Sequence, residues 1–160
     1  MITDQARNWA QRPYPPFHFA VTGLDIARFA HAIEATDPIH FDQEAARAAG
    51  YPDVVAPALF PYVIRMHAYN LVNRDQLEED GSPTADVPPL PTRRAMAGEV
   101  SIELGAPIFA GDVITVEKAL LDFYEKEGRS GPLVFVKMAY RYTNQTDQFV
   151  ARESFTRIYR

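Results

Sequence analysis

Apolar residues fall in two different rhythms along this chain. Before residue 74 they recur at helical spacing, and after residue 92 they alternate with polar ones. Leu24, Ile26, Ala27, Phe29, Ala30 and Ile33 make one broad apolar face, which predicts a helix over about 24–35 with Thr22 as its cap. Asp37-Pro38 ends it, because the residue before a proline is pushed out of the helical region. Asp42 to Gly50 predicts a short helix, with Asp42 capping its start and Gly50 stopping it. Ala58 to Asn73 is the most apolar helical stretch. Leu59, Val63, Met66 and Asn70 form one stripe, and Phe60, Ile64, His67 and Leu71 form the next. A helix apolar over so wide an arc is expected to be central and wrapped by other structure. Pro61 fits only in its first turn, so the helix should begin at residues 58–60.

Phe17 to Thr22 predicts a short strand preceding the helices. Residues 1–16, ending in Pro13, Pro15 and Pro16, read as a lead-in arm, and residues 74–92, rich in proline and acid, as a long loop. Then Val100, Ile102 and Leu104 alternate with Ser101 and Glu103. Asp112 to Phe123, Leu133 to Tyr142 and Phe149 to Tyr159 supply three more strands. In the second of these, Val134, Val136, Met138, Tyr140 and Tyr142 share a face. Turns at 110–112, 128–132 and 144–147 are short enough to predict an antiparallel meander. The order is strand, helices, long helix, four strands. An α+β domain follows, a single curled antiparallel sheet around one central helix spanning residues 1–160, which is the shape called a hotdog fold.

Composition narrows the function without naming it. The 160 residues carry a net charge of −5, so nothing electrostatic points to nucleic acid or an anionic membrane as partner. There is no cysteine, which removes disulfides, thiolate metal sites and a cysteine nucleophile. The N-terminus has no apolar core of a secretory signal, and no apolar run approaches the ~20 residues of a membrane span, so the cytoplasm is the expected location. His18 and His31 form no metal-ligand spacing, so no metal is expected.

Three stretches carry the chemistry. "FAHAIEATDPIHFD" is similar to the hydratase motif of the MaoC-like dehydratases and (R)-specific enoyl-CoA hydratases, Gly-Asp-x-Asn-Pro-(Ile or Leu)-His after an aromatic-Ala helix end. "AGYPDVVAPALF" resembles the family's approach to its central helix. "GEVSIELGAPIFAGDVITV" with "EKEGRSGPLVFVKMAYRYTNQ" resembles the sheet half of the N-terminal MaoC dehydratase domain. The resemblance runs from Phe17 to Tyr159 and implies the interconversion of 3-hydroxyacyl and trans-2-enoyl thioesters. It implies catalysis by a histidine and an acid, with backbone N–H groups at the start of the central helix holding the enolate-like oxygen. It implies no cofactor beyond the coenzyme A or phosphopantetheine that the substrate carries. It also implies side-by-side pairing, as a homodimer or as a heterodimer with a second hotdog subunit.

Laid on this sequence, the motif puts its histidine on His40, its proline on Pro38 and its asparagine on Asp37. Its glycine becomes Glu34 and its acid becomes Ala35. Asp37 is then a substitute acid, a group that orients His40, or a turn-forming residue before proline. Glu34, one helical turn earlier, is a lesser candidate. The oxyanion glycine falls on Ala58, whose N–H survives, and the residue before it is Pro57, which has none. Tyr62 is expected in the wall of the acyl site, with Tyr69 and Met66 as core or tunnel wall. His67 and Arg65 on the central helix read as core groups, and Gly111-Asp112 as a tight turn. Arg93, Arg94, Lys126 and Arg129 are candidates for the phosphates of the thioester arm. The missing motif acid raises an alternative, in which the chain is the acyl-binding half of a heterodimer beside a subunit holding the full Asp/His set. A thioesterase reading finds no acidic nucleophile or base on the central helix.

Overall fold

The computed structural model describes residues 2–67, 73–92 and 94–160. Its elements in chain order are α1 (Asp4–Ala10), β1 (Phe17–Ala20), α2 (Gly23–Ala32), α3 (Gln43–Ala48), α4 (Phe60–His67), β2 (Ala95–Leu104), β3 (Val113–Gly128), β4 (Gly131–Thr143) and β5 (Phe149–Tyr159), with short 3-10 turns at 38–40, 74–76 and 84–86. All five strands pair antiparallel in one sheet, in the order β1-β3-β4-β5-β2. The alternation in β4 works as expected: Val134, Val136, Met138, Tyr140 and Tyr142 are all buried.

The helices sit against that buried face. Phe60 and Ile64 of α4 have no exposed surface and join Ile26, Ile114, Val116 and Tyr142 in one apolar cluster. Each such side chain contributes ~1.5–3 kcal/mol by leaving water. Helix α2 starts with a capping box: Asp25 N–H donates to Thr22 Oγ1, and Thr22 N–H donates to Asp25 Oδ2. It ends in a left-handed cap. Glu34 has φ of +56°, its N–H donates to His31 O, and Ala35 N–H donates to Ala30 O, the paired bonds of a Schellman motif. The motif position held by glycine in the resembling family is therefore a backbone position that favours glycine, here occupied by glutamate.

Three expectations need correction. The arm at 1–16 contains a helix, because Thr3 caps α1 by accepting from Ala6 N–H and Trp9 packs on Phe123 at 5.9 Å between ring centres. The meander holds only for β3-β4-β5, while β2 crosses to the far side and pairs with β5. Its exit is fixed there by Gly105, whose N–H donates to Val150 O, and a side chain at Gly105 would meet the Phe149 backbone at 2.6 Å. Finally, α4 is not wrapped on all sides. Phe60, Pro61, Ile64 and Arg65 are buried, but Tyr62 is 49% exposed and Leu59, just before the helix, 56%. The expected helical stretch 68–72 lies outside the described residues.

The long loop is built onto the sheet. Asp86 accepts from Arg12 Nη2 at 3.0 Å and Lys118 Nζ at 2.5 Å, and Trp9 Nε1 donates to Ala85 O. Ser82 is buried and accepts from Arg157. Helix α1 and the loop together form a strap across the part of the sheet that the described turns of α4 leave open.

Candidate active site

His40 ends the 3-10 turn that follows α2. Asp37 starts this turn: its Oδ1 accepts from Ile39 N–H at 3.1 Å, and Pro38 sits in the first position. The next strand-like segment locks the turn in place. Val55 N–H donates to Ile39 O, and His40 Nδ1 lies 2.6 Å from Val55 O. A carbonyl oxygen only accepts, so Nδ1 must carry the proton. In the neutral ring Nε2 is then the basic nitrogen.

The same segment fixes what His40 faces. Ala56 N–H donates to Ile108 O and Ala110 N–H to Val54 O, so residues 54–56 and 108–110 run as a short antiparallel pair. Asp112 is buried and holds this pair's turn, accepting from Phe109 N–H and from Gln145 Nε2. Gly111, with φ of +93°, makes the turn possible. The turn role read for Gly111-Asp112 is the one found.

A cavity of about 360 Å³ opens beside this pair. His40, Pro57 and Ala58 all line it, with Pro61, Leu104 and Ile108 among the apolar wall. Residues 57–60 form a turn in which Phe60 N–H donates to Pro57 O. The N–H groups of Ala58 and Leu59, at the head of α4, have no hydrogen-bond partner among the described residues. The cavity thus combines a basic ring nitrogen, the free backbone donor of Ala58 at a helix start and an apolar wall. That set can move a proton at one atom while holding negative charge at another.

Two candidates fall outside this cavity. Asp37 is exposed and spends one carboxylate oxygen on its own turn; it is not among the cavity's lining residues. Tyr62 faces a different groove with His18, Asp25 and His67, its ring 4.8 Å from the Arg65 guanidinium. Among the described residues no carboxylate lines the cavity, and its one polar side chain besides His40 is Tyr51, which the sequence reading passed over. Tyr51 follows directly on the Gly50 stop, whose φ of +90° turns the chain back toward the site. That spacing was the available signal.

The remaining candidates divide. His67 packs edge-on against Phe19 at 4.8 Å, as a core ring does. Arg65 is buried against Glu153 of β5, with 3.0 Å between Nε and Oε1, and Tyr142 donates to the same carboxylate. Burial and the neighbouring Glu153 push the Tyr142 phenol far above its ordinary range. Arg94 and Arg129 share a pocket with Arg160 at the β3–β4 hairpin end, while Lys126 lies over Tyr124 and Phe135. Arg93 and Tyr69 are outside the described residues. Among the described residues no group of His, Cys, Asp or Glu is arranged to hold a metal ion, and no helix is long and apolar enough to cross a membrane.

The chain is similar to known proteins in sequence and in fold. The family model described as "FAS1-like, dehydratase domain region" matches residues 9–153. A UPF0336 protein of Saccharopolyspora erythraea is 39% identical over 103 residues, 63% of this chain and 59% of that protein, so the match spans less than two thirds of the relative. A UPF0336 protein of Streptomyces griseus is 35% identical over 122 residues, 75% of this chain and 73% of that protein. The fold matches the C-terminally truncated HadBC (3R-hydroxyacyl-ACP dehydratase) complex of Mycobacterium tuberculosis with a TM-score of 0.66 at 19% identity, over 91% of this chain and 92% of that one. It also matches the (R)-hydratase PhaJ1 of Pseudomonas aeruginosa with a TM-score of 0.65 at 18% identity, over 93% of this chain and 83% of that one. The continuous match over residues 9–153, on a five-stranded hotdog sheet, makes this chain a member of the family described as "FAS1-like, dehydratase domain region".

Proposed function

We propose that this protein hydrates trans-2-enoyl thioesters and dehydrates 3-hydroxyacyl thioesters reversibly, on coenzyme A or phosphopantetheine arms, in the cytoplasm and without a cofactor of its own. The observation that carries the reading is the His40 ring, held by its Nδ1–H on Val55 O with Nε2 left as base, in a cavity that also offers the Ala58 N–H. In hydration, Nε2 takes a proton from water as the water oxygen bonds to C3 of the enoyl chain. The C2–C3 π electrons move toward the thioester, and the carbonyl oxygen gains negative charge against the Ala58 N–H. The imidazolium then returns the proton to C2. One ring thus serves both proton transfers, which does not require Asp37.

A second reading is favoured by one feature, the lack of a carboxylate among the described lining residues of the cavity. There the chain is an acyl-binding half, and a second hotdog subunit brings the complete acid/base pair. The uncovered side of β2 supports pairing in either case, with Val100 and Leu104 more than half exposed.

The test offers the purified chain a short and a long trans-2-enoyl-CoA and follows loss of the conjugated double bond. Turnover that falls by about 10²–10⁴ in His40→Ala, in line with loss of a general base, supports the enzyme. Absence of turnover from the chain alone, restored by a partner hotdog subunit, selects the second reading.

A further inference from the structure

Two rings, not one, are anchored where residues 54–56 pair with 108–110. Val55 and Phe109 face each other as a bridge, with the Ala56–Ile108 and Val54–Ala110 hydrogen bonds on either side. That makes a non-hydrogen-bonded rung, in which opposite Cα atoms lie about 4.5 Å apart. Val55 O accepts the Nδ1–H of His40. Phe109 packs on the ring of Tyr51, with 5.9 Å between ring centres and a tilt of 46°. His40 and Tyr51 therefore hang from the two halves of one rung, and both line the cavity of about 360 Å³.

The backbone of Tyr51 is held on both sides. Helix α3 closes with the paired bonds of a Schellman motif: Gly50 N–H donates to Arg47 O, and Tyr51 N–H donates to Ala46 O. Ala46 has no exposed surface, so this end of α3 is anchored in the core. After Tyr51 and Pro52, Asp53 accepts from Gln43 Nε2 and from Val54 N–H. Backbone and ring are thus fixed, whereas the Tyr51 hydroxyl has no hydrogen-bond partner among the described residues. Packing on Phe109 does not call for that hydroxyl, since phenylalanine would pack as well. The cavity supplies the reason for it: apart from His40, no other lining side chain is polar.

Attack of water on C3 needs more than a base. A water that donates one proton to His40 Nε2 can still swing about that bond. A second acceptor, for its other proton, fixes the plane of the water and aims a lone pair at C3. A phenol hydroxyl accepts through its oxygen and donates through its proton, so it suits the oxygen in both directions of the reaction. In hydration it accepts the spare O–H of the water. In dehydration it donates to the 3-hydroxyl oxygen as that oxygen leaves C3. It keeps its own proton throughout. The proton taken from water passes to Nε2 and from there to C2, where the former π pair receives it, so the phenol adds nothing to the balance of the reaction.

We infer that Tyr51 is a catalytic residue of this reaction: with His40 it holds the oxygen at C3, first as the incoming water and then as the 3-hydroxyl of the product. It does so in place of a carboxylate, which the described lining residues lack. The inference deepens the acyl-thioester reading above and rests on it for the identity of the substrate. It also gives the site a contact that selects acyl chains oxygenated at C3.

Tyr51→Phe tests this, because it keeps the ring on Phe109 and should melt with the wild type. With trans-2-butenoyl-CoA, which has no oxygen at C3, its KM should be unchanged while kcat falls about five- to tenfold, the effect of one neutral hydrogen bond. With 3-hydroxybutyryl-CoA its KM should rise, because that substrate loses a contact on binding. A purely structural role would move both KM values alike. An unchanged kcat for trans-2-butenoyl-CoA, in a chain whose turnover is lost in His40→Ala, overturns the inference and leaves the catalytic reading intact. Equilibrium titration gives a second arm without turnover. His40→Ala should bind 3-hydroxybutyryl-CoA about five- to tenfold more tightly than butyryl-CoA, and His40→Ala/Tyr51→Phe should bind the two equally. Equal binding of both thioesters by His40→Ala, or a preference that survives Tyr51→Phe, overturns the inference. A preference lost in Tyr51→Phe, in a wild type that hydrates nothing, ends the catalytic reading and leaves Tyr51 as the residue that recognises the 3-hydroxyl.

Discussion

Arg65→Met isolates the energetics of the charge pair beneath α4. Arg65 and Glu153 are 3% and 2% exposed, and Glu153 receives the guanidinium and the Tyr142 hydroxyl. At 3.0 Å and an effective dielectric near 20, their attraction is ~5 kcal/mol. The cost of drying both groups offsets much of that, so the intact pair adds little net stability. Removing the cation alone is another matter, because the carboxylate stays buried with one neutral donor. The expected loss is ~3–5 kcal/mol at pH 7, a large share of the 5–15 kcal/mol typical of a domain. The double variant Arg65→Met/Glu153→Gln should recover more than half of it at pH 7. Urea unfolding at fixed protomer concentration gives all these values as midpoint shifts at constant m. A loss below ~1 kcal/mol at pH 7, or no recovery in the double variant, would refute this account of the pair.

Other outcomes follow from single positions. Ala58 is the second residue of the 57–60 turn, a position that tolerates proline; Ala58→Pro should therefore fold normally but lose one oxyanion donor, lowering kcat by about 10²–10³ in the hydration assay. Glu34→Gly should raise stability by up to ~1 kcal/mol in thermal or urea melts, since its φ of +56° costs glutamate but not glycine. Gly105→Ala should destabilise by at least ~1–3 kcal/mol, because the new methyl meets the Phe149 carbonyl at 2.6 Å. Burial raises the phenols of Tyr142 and Tyr159 above the ordinary 10.0 in the folded state only. The unfolded chain releases those protons first, so their contribution to stability should be flat below pH 10 and fall above it. Absorbance at the phenolate band should show these tyrosines ionising within the unfolding transition; ionisation well before it would contradict their burial.

The sequence revealed those parts of the fold that depend on local chemistry. Thr22 ahead of α2, Asp42 ahead of α3, and the alternation of β4 each act within a few residues, and each is found as read. The place of β2 was hidden because alternation reveals a strand's faces but not its neighbour, and a short turn sequence such as 110–112 looks the same in a hairpin and in a crossover. Helix α1 was hidden because seven residues with one buried alanine have little helical signal of their own and depend on Trp9 and Arg12 reaching residues over seventy positions away. The site was half visible. The resemblance led to His40 through its motif and to Ala58 through the family's oxyanion glycine, and the two share a cavity. Tyr51 enters through the path of the chain after Gly50, which no motif encodes, and Tyr62 leaves because the exposed side of α4 is on the surface rather than inside.

The strap of α1 and the acidic loop also orders events in time. Trp9 meets Phe123, 114 positions later, and its indole bonds Ala85. At 5–20 residues per second of synthesis, the first helix emerges roughly 6–23 s before its aromatic partner exists. The earliest segment made is thus among the last to find its place, and until then Lys118 and Asp86 must meet without Arg12. Trp9 is the chain's single tryptophan, so its fluorescence follows this last step alone, separately from the circular dichroism of the sheet. A nascent or partly melted chain should therefore pass through a state with a formed sheet and an undocked N-terminus.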